Sequence, residues 1–246
     1  MSEPHFFPRV TEETAANCRL DRPVSAPNDR LTTGGGLYKF RGVQPPTPRT
    51  RIINATLDLL GQSGLSGAEV KQVAAASASS RGSLLPLFPG GKLELVTVAL
   101  EEAERGIGQW LREVFHQHMP IAAKIELLFG DAATNVEASG FTKGCPVAAV
   151  TLDIDRDSES LRTVCRAVFA TWLDIIAAGL GEVPRAKRSE VAELILAALE
   201  GALILSRAEA TKEPLLRAGR TLGSALTRKF QVASPKRRAR SGRRNA

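Results

Sequence analysis

A short polar run, Ser79-Ser80-Arg81-Gly82-Ser83, carries the side chains of this sequence that are best suited to contact a nucleic acid. It precedes Leu84-Leu85, so the hydroxyls and the guanidinium are predicted to lie at the N-terminal end of a short helix. Hydroxyls, free backbone N–H groups and a cation at such a position can contact phosphate oxygens or base edges. The run therefore predicts a DNA contact, provided that flanking helices present it to a groove.

The sequence offers little for catalysis or metal binding. Its potential nucleophiles and soft ligands are few and far apart: Cys18, Cys145, Cys165, His5, His116 and His118. The cysteines form no CxxC motif and are odd in number, which argues against a disulfide framework and a zinc site. No Ser/His/Asp or metal-ligand cluster is predicted on adjacent faces. We therefore expect no enzyme and no cofactor, and the cysteine usage favours a reducing cytoplasm.

The charge is unevenly distributed along the chain. The net charge is +7, and the last twenty residues carry eight basic and no acidic side chains. Residues 48–92 are slightly basic, whereas residues 93–226 are acidic. Affinity for a polyanion is therefore predicted to be local to the ends. No segment offers the ~18–20 uncharged apolar residues of a membrane span, so we expect a soluble, cytoplasmic, nucleoid-associated protein without a membrane partner.

The apolar pattern predicts the helices that would present the polar run. An apolar stripe over residues 52–60 predicts a first helix, started by Thr47-Pro48 and ended by Gly61 and Gly64. Ser66-Gly67-Ala68-Glu69 has the spacing of a capping box, which predicts a second helix from about Gly67 to Ala76. A short turn then leads into the polar run, which gives a helix-turn-helix layout.

Beyond residue 92 the pattern is helical throughout, apart from the irregular segment Phe141–Val150. The helix between Asp157 and Gly181 is the most regularly amphipathic. On the last two helices, small and apolar residues predict close helix packing. They include Val191, Leu194, Ile195, Ala198, Gly201, Ala202 and Leu205, followed by Leu215, Gly219, Leu222, Gly223, Leu226 and Phe230. Such seams suit either a dimer interface or an intramolecular hairpin.

Several short motifs together resemble one known family. They are Arg51-Ile52-Ile53-Asn54-Ala55, Gly64, Val73-Ala74, Ser80–Leu84, Phe88–Lys92 and Leu95. This set resembles the N-terminal domain of TetR-type (TetR/AcrR) transcriptional regulators, and Phe88–Lys92 with Gly144-Cys145-Pro146-Val147 is similar to the LmrA/YxaF-like branch. The resemblance implies an all-α fold, with an N-terminal three-helix helix-turn-helix head and a C-terminal helical ligand-binding and dimerisation domain.

The resemblance also implies site residues. DNA-contact residues would be Thr50, Ser79, Ser80, Arg81, Gly82, Ser83 and Lys92. In the body, Cys145 lies in a segment that lines or covers the effector pocket in the similar branch, and the candidate ligand-binding residues are Trp110, Cys145, Phe169 and Trp172. For the cysteine and the aromatic residues, an ordinary place in the core is the alternative.

The sequence departs from the family pattern within the predicted head. Leu85 stands where the family has a tyrosine, and Ala78 stands where it has a turn glycine. Pro86 lacks an N–H, so the recognition helix should end or kink at about Leu85. Each loss costs on the order of 1 kcal/mol in phosphate contacts or turn strain.

Two functions follow as hypotheses. The first is a ligand-responsive DNA-binding regulator, a repressor that binds a near-palindromic double-stranded operator as a homodimer and is released by a hydrophobic small-molecule effector. The alternative is a TetR-fold helical dimer that binds a small molecule or protein and has lost specific operator recognition.

The expected organisation has four parts. Residues 1–47 form a disordered N-terminal arm, either a contacting extension or a dispensable leader that need not belong to the native protein. Residues 48–92 form the helix-turn-helix domain, and residues 93–231 the effector-binding and dimerisation domain. Residues 232–246 form a disordered basic tail, which either adds salt-dependent affinity for nucleic acid or is solvated without a partner.

Overall fold

The chain forms helices connected by short loops. The computed structural model describes residues 46–155 and 158–231, and within these ranges there are nine α-helices, one 3₁₀ turn and no strand. The prediction of an all-α fold is therefore confirmed. The predicted basic tail and nearly all of the predicted arm lie outside the described residues. In chain order the helices are α1 Pro48–Gly67, α2 Val70–Ala76, α3 Arg81–Leu84, α4 Gly91–Phe115, α5 Ile121–Ala138, α6 Pro146–Asp153, α7 Glu159–Gly179, α8 Arg188–Glu209 and α9 Glu213–Gln231.

The first three helices, here called the head, surround a small apolar core. Seven buried side chains form it, and α4 contributes the last: Ile52, Ile53, Val73, Ala74, Leu84, Phe88 and Leu95. The guanidinium of Arg49 lies 5.4 Å from the centre of the Phe88 ring, a cation–π contact that covers one edge of this core. A core of this size gives the head limited stability of its own.

Helix α1 begins as predicted and ends differently. Thr47 is the N-cap, and its Oγ1 accepts a hydrogen bond from the Thr50 backbone N–H at 3.2 Å, with Pro48 in the first turn. The helix passes Gly61 without a break and kinks at Gly64, where φ is 61°. Because a side chain disfavours positive φ, glycine suits this kink.

The predicted capping box at Ser66 and Glu69 is wrong. Ser66 Oγ donates to the Ser63 carbonyl at 2.7 Å, within the last turn of α1. Glu69 is the N-cap of α2, but its side chain makes no capping hydrogen bond. The reason is a tertiary contact, since the Glu69 carboxylate pairs with Lys92 Nζ at 2.6 Å. A distant cation has replaced the local N–H groups as its partner.

The remaining helices, here called the body, pack around a larger core. The largest side chains enclosed in it include Phe115, Phe129 and Trp172. A Cβ on Gly219 would lie 2.8 Å from the Cβ of Phe129, so glycine lets α9 approach α5 closely. Lys124 Nζ donates to the carbonyls of Phe115 and Gly179, at 2.7 and 3.0 Å, and so caps the C-terminal ends of α4 and α7.

Helix α8 is apolar on two faces. Of the apolar positions noted in its sequence, Val191, Ile195 and Ala202 are buried within the chain. Leu194 and Leu205 point outward. The exposed stripe, here called the α8 outer face, consists of Leu194, Ala197, Gly201, Ile204 and Leu205. In the described part of the chain no helix is long and apolar enough to cross a membrane.

Candidate DNA-contact surface and body cavity

The N-terminal end of α3 presents a compact polar surface. Ser80 is the N-cap, and its Oγ accepts from the Ser83 N–H at 3.1 Å while the Ser83 hydroxyl donates to the Ser80 carbonyl at 2.8 Å. Arg81 is exposed and makes no side-chain hydrogen bond or ion pair within the described residues. A Cβ on Gly82 would meet only Ser80 Oγ, at 3.8 Å, so the surface there is open to a groove.

The other three predicted contact residues already have partners within the chain. Ser79 is half-buried and its Oγ donates to the Ser77 carbonyl at 3.3 Å. The hydroxyl oxygens of Thr50 and Thr47 are 2.8 Å apart, and Lys92 is held by Glu69. The structure therefore brings together the Ser80–Ser83 group, whereas Thr50, Ser79 and Lys92 would have to exchange or share a partner on binding phosphate.

A head–body junction, formed around the Gly61 carbonyl, connects α1 to the body. That oxygen accepts from the Gly144 N–H at 2.9 Å and from Arg207 Nη1 at 3.4 Å. Arg207 Nη2 also donates to the Gln62 carbonyl, at 3.3 Å. A Cβ on Gly61 would lie 2.8 Å from the Gly144 carbonyl oxygen, so α1 and the segment before α6 touch backbone to backbone.

Two further contacts hold the same end of α1. Asp153 at the end of α6 accepts from the Leu65 N–H at 2.7 Å, beside the kink at Gly64. Lys143 pairs with Asp58 at 2.9 Å, with only 15% of the lysine side chain exposed. The first helix of the head is therefore fixed to both ends of α6 and to α8.

A narrow cavity lies between the body helices α4, α5, α6, α7 and α8. Its volume is about 20 Å³, room for about one water molecule. Most of its wall is apolar or aromatic. The lining residues are Ile107, Trp110, Leu111, Ala132, Asn135, Cys145, Trp172, Leu196, Leu199, Glu200 and Leu203.

Hydrogen bonds fix both indole rings of the cavity. Trp110 Nε1 donates to Asp131 Oδ2 at 3.0 Å, and Trp172 Nε1 donates to the Glu104 carbonyl at 3.3 Å. Phe169 packs edge-on against Trp172, with ring centres 5.5 Å apart, but is not part of the wall. Of the four ligand-binding residues expected from the sequence, three line the cavity and Phe169 supports one of them from behind.

The Cys145 thiol and the Glu200 carboxyl form the titratable pair of the wall. Burial raises the pKa of Glu200 to about 7, and its hydrogen bond with Cys145 opposes that shift. Burial, with the Glu200 charge as the next cause, raises the pKa of the Cys145 thiol well above its usual value. Since thiolates are the nucleophilic form, Cys145 is a weak nucleophile. No group of three potential ligands within the described ranges could hold a metal ion.

Comparison with known proteins shows similarity to one family of regulators. The model for the C-terminal domain of LmrA/YxaF-like transcriptional regulators matches residues 120–221. The HTH-type transcriptional regulator YxaF of Bacillus subtilis (strain 168) is 28% identical over 170 residues, covering 68% of this chain and 89% of YxaF. The chain is therefore similar to TetR-type transcriptional regulators.

Solved structures of TetR-type proteins share the fold. Regulatory protein TetR from Rhodobacter sphaeroides superposes with a TM-score of 0.66 at 22% identity, covering 72% of this chain and 97% of that one. A cysteine mutant of the TetR family regulator CifR, complexed with 26bp double-strand operator DNA, superposes with a TM-score of 0.63 at 19% identity, covering 71% and 94%. These likenesses confirm the arrangement of a helix-turn-helix head on a helical body.

Two polar residues of the cavity wall, Asn135 and Glu200, were not predicted from the sequence. A signal for Glu200 was present, because it follows Leu196 by four positions and precedes Leu203 by three, which puts it on the inner face of α8. An acidic residue at an inner position of an amphipathic helix is unusual unless it is paired or functional. The family departures at Ala78 and Leu85 both lie at the surface of the head.

Proposed function

We propose that the chain is a repressor that binds a near-palindromic operator as a homodimer and is released by a small-molecule effector. The observation that carries the proposal is the open N-terminal end of α3, which leaves Arg81 exposed and without a partner in the described residues. A cation at this position can contact phosphate or a guanine edge. The operator complex of CifR supports the use of this fold on DNA.

The α8 outer face supports the dimer. Leu194, Ile204 and Leu205 are each at least half exposed, and Gly201 between them has open space around its Cα. An apolar stripe with a small residue at its centre suits close packing against a second helix. Two copies related by a twofold axis would place their α3 helices in successive major grooves, about 34 Å apart.

The head–body junction supports release by a ligand. A molecule larger than water must separate the cavity walls, and Cys145 at the start of α6 and Glu200 on α8 belong to those walls. Gly144, next to Cys145, and Arg207, two helical turns beyond Glu200, both donate to the Gly61 carbonyl. Opening the cavity would therefore shift the donors that orient α1. The contacts of α1 would then differ between the free and the ligand-bound protein, which is what allosteric coupling requires.

The experiment is footprinting of the full chain on DNA from its own upstream region. Arg81→Ala should weaken a specific footprint by about tenfold or more, whereas Arg185→Ala, which removes an exposed charge from the body, should leave it unchanged. Retardation without a footprint, lost uniformly with salt and insensitive to Arg81, would refute operator recognition.

That outcome would favour the alternative, a TetR-fold dimer that has lost specific recognition. One observation favours this alternative. Helix α3 has only four residues and ends at Leu84, before Pro86, and an exposed Leu85 occupies the position of the family tyrosine. Fewer groups are therefore available to contact DNA than in a longer recognition helix.

A further inference from the structure

The cavity has one group that carries a formal charge. Eight of its eleven lining residues are aliphatic or indole, and the three polar ones are Asn135, Cys145 and Glu200. The residues facing it from α4, α5 and α7 do not titrate, and from the start of α6 only the thiol of Cys145 does. A carboxyl among apolar side chains is therefore the main electrostatic feature of the wall.

Glu200 has no cation of its own. None of the ion pairs within the described residues includes it, and its hydrogen-bond partner is the Cys145 thiol. The nearest cation along α8, Arg207, is occupied by the Gly61 and Gln62 carbonyls. A carboxyl in an apolar wall without a counter-ion costs free energy, and a site that binds a cation would recover that cost.

We propose that the effector is an apolar, aromatic molecule bearing one positively charged amine, which pairs with Glu200 while the apolar part packs against Trp110 and Trp172. The inference rests on the ligand-responsive role proposed above and assigns the chemical class of the ligand. Indole rings contribute further attraction to a cation placed over their faces.

The same wall disfavours an anionic ligand. A carboxylate or phosphate entering the cavity would approach Glu200, and no Lys or Arg lines the wall to pair with it. A neutral ligand could accept a hydrogen bond from the protonated carboxyl but would leave the carboxylate unpaired at higher pH. A cationic ligand is therefore the class that can pair with Glu200 when its carboxyl is ionised.

The size of the cavity limits which probes are suitable. At about 20 Å³ it admits about one water molecule, so any effector must part the helices. A compact molecule with one planar, fused ring system keeps the required opening small and can pack against an indole ring. Naphthylmethylamine and naphthylmethanol differ mainly in the charge of one terminal group, and the amine stays protonated at neutral pH.

The test is calorimetric titration of the full chain with both compounds at about pH 8, where Glu200 is ionised. The amine should bind about tenfold tighter than the alcohol, as expected for a hydrogen bond to a charged group. Glu200→Gln should abolish this preference. Glu200→Asp, which retains the charge, should keep it, as should Glu126→Gln, which removes an exposed carboxylate from the cavity-lining helix α5.

Equal or weaker binding of the amine, a preference that survives in Glu200→Gln, or no binding of the amine would each overturn the assignment. Far-ultraviolet circular dichroism would show that each variant is folded before titration. The proposed function is tested by a separate experiment, because this titration contains no DNA. If the amine binds through Glu200 but leaves an operator footprint intact, ligand-dependent release is wrong while the ligand class stands.

Discussion

The α3 surface and the body cavity treat their polar groups in opposite ways. On α3, Ser80 and Ser83 are exposed and satisfy each other, so docking DNA there costs little desolvation but offers few new bonds. In the cavity, Glu200 is held in an apolar wall without a cation, which destabilises the empty protein. The α3 surface therefore costs little free energy to expose and offers few contacts, whereas the body retains a destabilising carboxyl that the proposed ligand would pair with.

The junction at Gly61 joins these two regions and predicts the largest effect. Gly61→Val would place a side chain where even the Cβ would lie 2.8 Å from the Gly144 carbonyl oxygen. Because both contacting groups are backbone, we expect a loss of about 3 kcal/mol in the free energy of unfolding, measured by urea denaturation.

A second glycine provides the control for this substitution. Gly130 on α5 has open space around its Cα, so Gly130→Ala should stabilise the chain by about 0.5–1 kcal/mol through helix propensity alone. If Gly61→Val were as well tolerated as Gly130→Ala, the head and body would not be coupled through this contact.

Glu200 predicts a pH dependence that belongs to the body. Its pKa in the folded chain is about 7, against 4.5 for an ordinary glutamic acid side chain, so between these pH values the folded state holds a proton that the unfolded state has lost. Stability therefore falls as pH rises from about 4.5 to about 7, by at most about 3 kcal/mol, and then levels off.

Glu200→Gln should remove this contribution. The variant should be more stable than the parent at about pH 8 and differ little from it at about pH 4.5, as measured by thermal unfolding at both pH values. Glu126→Gln, at an exposed position, should not change the pH profile. If the stability of the parent did not change between the two pH values, water would have to reach the Glu200 carboxyl. The contrast between body and head would then weaken.

The features that could be predicted from sequence depend on local chemistry. Thr47-Pro48 starts α1 and Pro86 follows the end of α3, because capping and the missing proline N–H act within one turn. The box at Glu69 failed because Lys92, 23 positions away, takes the carboxylate. The spacing of Glu200 from Leu196 and Leu203 does place it on the inner face of α8, but its lack of a cation depends on helices that are distant in sequence.

The head can be tested by restoring the family residue at position 85. Leu85 is 58% exposed, so Leu85→Tyr should fit without strain and add a phenolic hydroxyl near phosphate. We expect operator affinity to rise by about fivefold, corresponding to about 1 kcal/mol for one added hydrogen bond, in fluorescence anisotropy. Leu85→Phe supplies the ring without the hydroxyl and should give no gain. An equal gain from both would assign the effect to apolar contact.

The turn before α3 predicts the smallest effect. A substitution there tests the geometry of the head separately from its DNA contacts. Ala78 has φ of 50°, a left-handed conformation that a side chain disfavours, in the turn that joins α2 to α3. Ala78→Gly relieves this strain but adds entropy to the unfolded chain, so the net stabilisation should be about 0.5 kcal/mol, measured by urea denaturation. Operator affinity should stay constant, because position 78 precedes the Ser80–Ser83 group. A rise in affinity would mean instead that strain in this turn misplaces α3, and that the weakness of the head lies in its geometry as well as in its few contacts.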